Sequence, residues 1–421
     1  WILRRRAQAQ QLLRNDSPNS HSMRQVGVTG KPNVGKSTFF AASTLARVEI
    51  ANYPFTTKEP NIGVGYARAK EIADEFHVVP QPNNSYSRGG WRFVAIQLVD
   101  LPGLVPGAHA GRGLGNQFLT AVSTADALLH VVDASGGTDE EGRPVAVGSH
   151  DVLQDVTFLE EEYELWLSEV IKRNWDKVSR RMGTTKVDLD QAVYDAVTNL
   201  AKDKAIIKQI IEELELPEDP KAWKDEHFRP FAKALRSKTQ PVLIVANKAD
   251  TPEAEENIKK LNGHGYDVIP TSAEAELVLR RADKAGLIEY IPSSNDFVVK
   301  DSSKLTPEQK KALDMLRERV LKKWSNTGVQ LSIDRAIFDL LGMVAVFPVE
   351  DPRKLTDGKG RVLPDVYLMD KGATARDLAG TIHTDLAAGF LYAIDARTKT
   401  RLAEDYMLKN GDVVSVVSAA K

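Results

Sequence analysis

The run Gln25-Val26-Gly27-Val28-Thr29-Gly30-Lys31-Pro32-Asn33-Val34-Gly35-Lys36-Ser37-Thr38 decides the fold. Its first five residues are a short apolar segment, its middle is punctuated by glycine, and residues 38–45 suit a helix. Strand, tight loop and helix in that order predict a β-loop-α unit whose turn binds phosphate. Gly30, Lys31, Pro32, Asn33, Val34 and Gly35 would form the cradle and Thr38 would close it at the helix start. Lys36 would neutralise the β and γ oxygens, and Ser37 would ligate Mg²⁺. Three further β-like runs, at residues 92–100, 127–133 and 241–247, each end in polar residues where a parallel strand presents its carboxyl end. The expected class is therefore α/β, with a doubly wound, mostly parallel sheet.

Two of those strand ends carry chemistry. Asp100-Leu101-Pro102-Gly103 closes the first, placing Asp100 to hold a Mg²⁺-bound water and the Gly103 N–H to sense a γ-phosphate. Asn247-Lys248-Ala249-Asp250 closes the last. A carboxylate at Asp250 can accept from both the N1–H and the exocyclic amine of guanine, whereas adenine has no matching donor pair and would leave it unpaired. Thr271-Ser272-Ala273 follows the next strand and can offer a backbone N–H to the guanine oxygen. These motifs, in order and each at a strand end, predict GTP and GDP as ligands.

Bulk properties narrow the rest. Lys plus Arg number 56 against 58 Asp plus Glu in 421 residues, so the net charge of −2 makes no global case for nucleic acid, and any RNA contact must be a local patch. The absence of cysteine excludes disulfides, thiolate zinc sites and a cysteine nucleophile, and fits a reducing cytosol. No apolar run approaches the roughly 18 residues that span a bilayer. Residues 1–22 hold Arg4, Arg5, Arg6 and Arg14 without an apolar signal core, and read as a disordered extension or artefact outside the fold.

Between the third and fourth strands, Val152, Val156, Leu159, Tyr163, Trp166 and Val170 repeat at helical spacing, as do Leu189, Val193, Ala196, Leu200, Ile207, Ile210 and Leu214. Residues 150–235 are expected to be an inserted, coiled-coil-like helical hairpin. The first domain should run over 23–341, with a helical segment at 275–341 and a helix starting at Thr306-Pro307-Glu308-Gln309. Residues 342–421, with four β-like runs and one helix near 374–382, read as a small α+β domain.

GKPNVGKST at residues 30–38, Asn52-Tyr53-Pro54-Phe55-Thr56-Thr57, DLPGLVPGAHAGRGLGNQF at 100–118 and the 247–250 motif together resemble the Obg-like GTPases, most closely archaeal relatives of the YchF and DRG branches, over residues 24–421. The resemblance implies a P-loop NTPase that hydrolyses GTP as a Mg²⁺-dependent switch. It implies Thr57 as the switch residue joining the Mg²⁺ shell, with Thr56 as the alternative. Lys371-Gly372-Ala373-Thr374 and Asn410-Gly411-Asp412-Val413-Val414 resemble a TGS domain, a β-grasp module linked to RNA or ribosomes. YchF proteins proper prefer ATP and replace the Lys and Asp of the base-reading motif. Lys248 and Asp250 stand here instead, which argues for GTP.

Catalysis would rest on Lys36, Thr57, Gly103 and Asn33. Leu104 stands where many GTPases carry a glutamine, and leucine cannot orient water. Members of this hydrophobic-substituted class suggest that Asn33 helps bind K⁺, which would supply charge as an arginine finger does; a purely structural loop asparagine is the alternative. His109 and His130, the latter placed at a strand start, are lesser candidates for positioning water. Arg173, Lys177 and Arg180 share a helix face near the hairpin tip, and Arg397, Lys399 and Arg401 would alternate on one strand face. Both clusters suit ribosomal RNA or ordinary solvation. The reading expects a cytoplasmic monomer acting on the ribosome, with no DNA or membrane partner. Its rivals are a nucleotide-gated RNA- or ribosome-binding module with incidental turnover, and a YchF-type ATPase acting in stress.

Overall fold

The computed structural model describes residues 24–45, 62–101, 122, 124–184, 187–197 and 204–419. Among them, seven strands build the main sheet: β1 (Gln25–Thr29), β2 (Ile62–Lys70), β3 (Ser85–Arg88), β4 (Trp91–Asp100), β5 (Ala127–Asp133), β6 (Val242–Asn247) and β7 (Val268–Pro270). Their order is β2-β4-β1-β5-β6-β7, with β3 paired on β4. The pairs β4-β1, β1-β5, β5-β6 and β6-β7 are parallel, while β2 and β3 run antiparallel to β4. Register sets the site: Val28 lies opposite Asp100, Thr29 opposite His130, and Asp133 opposite Asn247. The carboxyl ends of β1, β4, β5 and β6 thus form one rim, where open α/β sheets bind ligands.

Every residue of β5 is buried, as a central parallel strand requires. Alternate side chains go to opposite faces. Leu129 and Val131 enter one core with Val26, Val28 and Phe39, while Leu128 and Val132 enter cores on the other face. His130 therefore faces the same side as Leu128 and Val132. It lies inside β5 rather than at its start, which corrects its expected placement.

Helix α1 (Lys36–Thr44) follows the phosphate loop. The insertion opens with α2 (Val152–Thr184), 33 residues and about 50 Å long at 1.5 Å per residue. Among the described residues its return path carries three shorter helices, α3 (Leu189–Ala196), α4 (Lys204–Glu213) and α5 (Asp225–Thr239), the last set off by the stretch 214–224, so the expected two-arm hairpin has an interrupted second arm. Val152, Val156, Leu159, Tyr163 and Trp166 are buried as the spacing predicts, but Val170 is only half-buried and Ile171, Trp175 and Val178 continue the stripe. A straight helix at 3.6 residues per turn drifts from a seven-residue repeat, so the buried face moves on by one position. Trp175 then packs on Trp223, ring centroids 4.2 Å apart, and its indole N–H donates to the Pro220 carbonyl at 2.8 Å.

Beyond β6 come α6 (Ala254–Gly263), α7 (Ala273–Lys284) and a small antiparallel pair, β8 (Ile288–Glu289) with β9 (Val298–Val299), so residues 275–341 are not wholly helical as expected. Helix α8 (Pro307–Leu316) starts where its capping box predicts, with the Gln309 N–H on the Thr306 hydroxyl and Gln309 Oε1 accepting from the Thr306 N–H at 2.9 Å. It continues through a π-turn, Arg317–Leu321, to Trp324. Helix α9 (Val329–Asp334) puts Val329 and Ile333 into the same core as α1.

The C-terminal sheet contains β10 (Val344–Pro348), β11 (Tyr367–Met369), β12 (Phe390–Asp395), β13 (Arg401–Leu402) and β14 (Val413–Ser418) in the order β11-β10-β14-β12-β13, with α10 (Ala375–Ile382) and α11 (Thr384–Ala388) between β11 and β12. Val346, Leu378, Ala393 and Val414 make its β-grasp core. The other face, with Ala345, Phe347 and Val413, packs on Ala69, Ile72, Ala73 and Val94 of the main domain. Arg92 pins this contact. It is fully buried, binds Glu71 at 2.8 and 3.2 Å, and donates to the Leu363 carbonyl at 3.0 Å. Burial pushes the Glu71 carboxyl up, but the bonds from Arg92 carry it below its ordinary value.

The basic trio of this domain departs from expectation. Arg397 lies past the end of β12 and binds Glu75 of the main domain at 2.5 and 2.8 Å. Lys399 sits in a turn at φ 60° and donates to the Pro352 carbonyl at 2.6 Å, while Arg401 lies over the Tyr392 ring. A tight turn interrupts the alternation, so no shared strand face exists.

Candidate functional site

The phosphate loop turns on Gly35. Its φ is +92°, and a Cβ there would meet Asn247 Nδ2 at 2.2 Å, so only glycine fits the first corner of α1. Asn247, 4% exposed, ties three loops together. Its Nδ2 donates to the Val34 carbonyl at 2.8 Å, and its Oδ1 accepts from the Ala273 N–H at 3.0 Å. The amide supplies one donor and one acceptor in the fixed geometry that this link needs.

At the loop's end, the Lys36 ammonium donates to Asp100 Oδ1, with both side chains largely buried. Ser37 is exposed on the first turn of α1, and Thr38 beside it is half-buried. Lys36, Ser37 and Asp100 are thus adjacent on the rim. The donor set fits Mg²⁺, which takes one or two protein oxygens and completes its shell with phosphate and water. Among the described residues there is no cluster of three or more His, Asp or Glu that could cage a metal by itself. Thr56, Thr57, Gly103, Leu104, His109 and residues 1–22 lie outside the described residues.

The side chains of Lys31 and Asn33 are held by groups outside the phosphate loop. The Lys31 ammonium is 5% exposed and donates to Asp155 Oδ1 at 2.7 Å and to the Thr138 carbonyl at 2.9 Å. His150 Nε2 contacts the same carboxylate oxygen at 2.7 Å. Burial pushes the Asp155 carboxyl above its ordinary value, opposed by Lys31 and His150. Lys31 is therefore an anchor to α2, and its side chain is not free for a ligand. Asn33, in the left-handed region at φ 63°, donates through Nδ2 to the Gly142 carbonyl at 2.9 Å. This bond performs the structural role; a K⁺ ligand would have to be the Oδ1 of the same amide. Pro32 is exposed and Gly30 buried.

On the base side, Asp250 is exposed and its Oδ1 accepts from the Ser272 hydroxyl at 2.8 Å. Lys248, at φ 63°, reaches across the rim to Asp133 Oδ2 at 2.7 Å. A non-glycine residue in this region costs on the order of 1 kcal/mol, and such strain collects at ligand sites. Asp133 is 1% exposed and also accepts from the Ser135 hydroxyl at 2.5 Å. Sequence reasoning missed Asp133 and Asp155. An acidic residue ending a parallel strand was a readable signal for Asp133, while Asp155 looks like any first-turn helix acid until the fold brings Lys31 to it.

Three sequence families match in chain order. Residues 25–159 match the family described as 50S ribosome-binding GTPase, 245–351 the Obg-like GTPase YGR210-like, G4 motif-containing domain, and 355–418 the TGS domain. GTP-binding protein MJ1332 of Methanocaldococcus jannaschii is 46% identical over 95% of this chain and 100% of its own. The ribosome-binding ATPase YchF of Bacillus subtilis is 27% identical over 94% of this chain and 93% of its own. A crystal structure of a GTP-binding protein from Pyrococcus horikoshii superposes with a TM-score of 0.75 at 39% identity, covering 94% of this chain and 100% of that one. The Schizosaccharomyces pombe YchF GTPase, at 20% identity and TM-score 0.55 over 94% and 97% of the chains, shares the fold. On the rim geometry, these families and the full-length relative, the chain belongs to the Obg-like, YchF-related GTP-binding proteins.

Proposed function

We propose that this chain is a guanine-specific, Mg²⁺-dependent switch that hydrolyses GTP to GDP and phosphate and acts on the ribosome. The observation that carries the guanine reading is the Ser272 hydroxyl on Asp250 Oδ1 at 2.8 Å. That bond holds an exposed carboxylate at the rim to receive the N1–H and amine of guanine, a pair adenine lacks. It favours GTP even though several relatives carry ATPase in their names.

For hydrolysis, Lys36 exchanges its Asp100 partner for the β and γ oxygens and neutralises charge that grows in the transition state. Ser37, Thr57 and Asp100 would hold Mg²⁺, Asp100 through water, and the ion would supply positive charge to the phosphates. Gly103 would offer its N–H to the γ-phosphate. Leu104 cannot orient the attacking water, so intrinsic turnover should be slow, about 10⁻⁴ to 10⁻² s⁻¹. Asn33 Oδ1 would hold K⁺, which would supply further positive charge.

Calorimetric titration tests the reading. GDP and GTP should bind at least about tenfold more tightly than ADP and ATP, since an unpaired carboxylate costs ~1–3 kcal/mol. Asp250→Asn should shift preference toward xanthine nucleotides. Equal affinity for ADP and GDP would overturn it. Lys36→Ala should nearly abolish phosphate release, and exchanging NaCl for KCl should raise it severalfold only while Asn33 is present.

A further inference from the structure

The segment between α8 and α9 touches both base-reading loops from behind. The Trp324 indole N–H donates to the Ala249 carbonyl at 3.0 Å, one residue before Asp250. The Thr327 carbonyl accepts from the Ser272 N–H at 2.8 Å. Gly328, at φ +82°, presses so close to the second loop that a Cβ would meet the Pro270 carbonyl oxygen at 2.2 Å. The two loops are also joined directly, Ala249 N–H to the Thr271 carbonyl at 2.9 Å.

The turn is itself held rigid by buried charge. The Thr327 hydroxyl donates to Glu276 Oε2, and both residues are fully buried. Tyr290 donates its hydroxyl to the same oxygen at 2.7 Å, and Arg280 pairs with the other. Arg280 then reaches Gln330 at 3.0 Å, whose amide donates to the Tyr66 carbonyl of β2 at 2.6 Å. A satisfied buried network of this kind has one geometry, because any displacement leaves a charge unpaired in low dielectric. Base recognition needs that stiffness. A carboxylate meets two donors at once only if held within roughly 0.5 Å and 10–20° of the productive position.

We propose that the turn at residues 324–328 is a brace for guanine selection, in which Trp324 and Thr327 act as positioning residues that hold Asp250 and Ser272 in register without touching the base. The proposal deepens the guanine reading and rests on it.

The test is a double-mutant cycle read by calorimetric titration of the full chain with GDP, IDP and ADP. Trp324→Phe keeps an aromatic ring, though a smaller one, and removes the donor. It should weaken GDP binding about fivefold, the worth of one hydrogen bond, and narrow the gap between GDP and IDP, which lacks the 2-amine. In an Asp250→Ala background the same change should cost less than about twofold, since no carboxylate remains to be aimed. Thr327→Val should behave likewise and Thr327→Ser should restore selectivity, which keeps the proposal falsifiable if one variant folds poorly. Equal losses in both Asp250 backgrounds, or undiminished GDP preference in Trp324→Phe and Thr327→Val, would overturn the brace while leaving the guanine reading intact. A wild-type chain that takes ADP as tightly as GDP would overturn the guanine reading and the brace with it.

Discussion

His130 faces the crevice between the phosphate loop and α2, lined by Gly30, Lys31, Asp155 and Phe158, and its Nδ1 has no partner among the described residues. Burial, and secondarily the Lys31 charge, push its pKa down to about 3, so the folded protein holds it neutral. The unfolded chain takes up a proton near the ordinary histidine value of about 6.5. Between those values the unfolded state binds more protons. The contribution of this group is therefore whole above pH 6.5 and is lost progressively as pH falls toward 3. On going from pH 7 to pH 5 that loss is about 2 kcal/mol. His130→Leu should remove this part of the acid sensitivity, seen as denaturation midpoints at pH 7 and pH 5 that lie closer together than in the wild type; an unchanged gap would contradict it. The residue types of the rim were legible from the chain alone, because Lys36, Asp100 and Asp250 each stand in a short motif at the end of a strand or the start of a helix. The unpartnered nitrogen of His130 was not, since its burial depends on what α2 places above β5.

Helix α2 illustrates the next scale. Its apolar stripe was readable from spacing, and so was a break at Asp203 in the returning stripe, yet the separate helix α5 was not, because its place depends on where α2 offers a surface to pack against. Its first turn also does something spacing cannot reveal: Asp155 clamps the phosphate loop through Lys31. Removing one member of a buried pair costs about 3–5 kcal/mol, because the other charge stays buried and uncompensated. Asp155→Ala should accordingly lower stability by an amount near that range, measured from chemical denaturation. Asp155→Ala with Lys31→Met should recover more than half of the loss, since no orphan charge remains. Absence of recovery would show that Asp155 stabilises through other contacts.

At the scale of the whole molecule, the C-terminal sheet is clamped to the main domain by Arg92 and Arg397, and two of the basic residues expected to face a partner, Arg397 and Lys399, bind within the chain instead. The exposed basic face that remains is Arg173, Lys177 and Arg180, on one side of α2 close to its end at Thr184. If this face meets ribosomal RNA, reversing all three to Glu should sharply reduce co-sedimentation with the large subunit and leave GDP affinity within about twofold. The logarithmic salt slope should fall by roughly 0.7 to 0.9 per lost phosphate contact. Undiminished co-sedimentation would remove the arm from the interface. The sequence by itself determined the strand-loop-helix unit at residues 25–44, the sheet class and the terminal β-grasp domain, because their strands, turns and helix starts are locally specified. Only the tertiary structure decided which charges stay free for ligands and partners. Lys31, Arg92, Arg397 and Lys399 each bind at least one group 47 to 322 residues away in the chain, and no local pattern records a partner that folding alone brings within 3 Å.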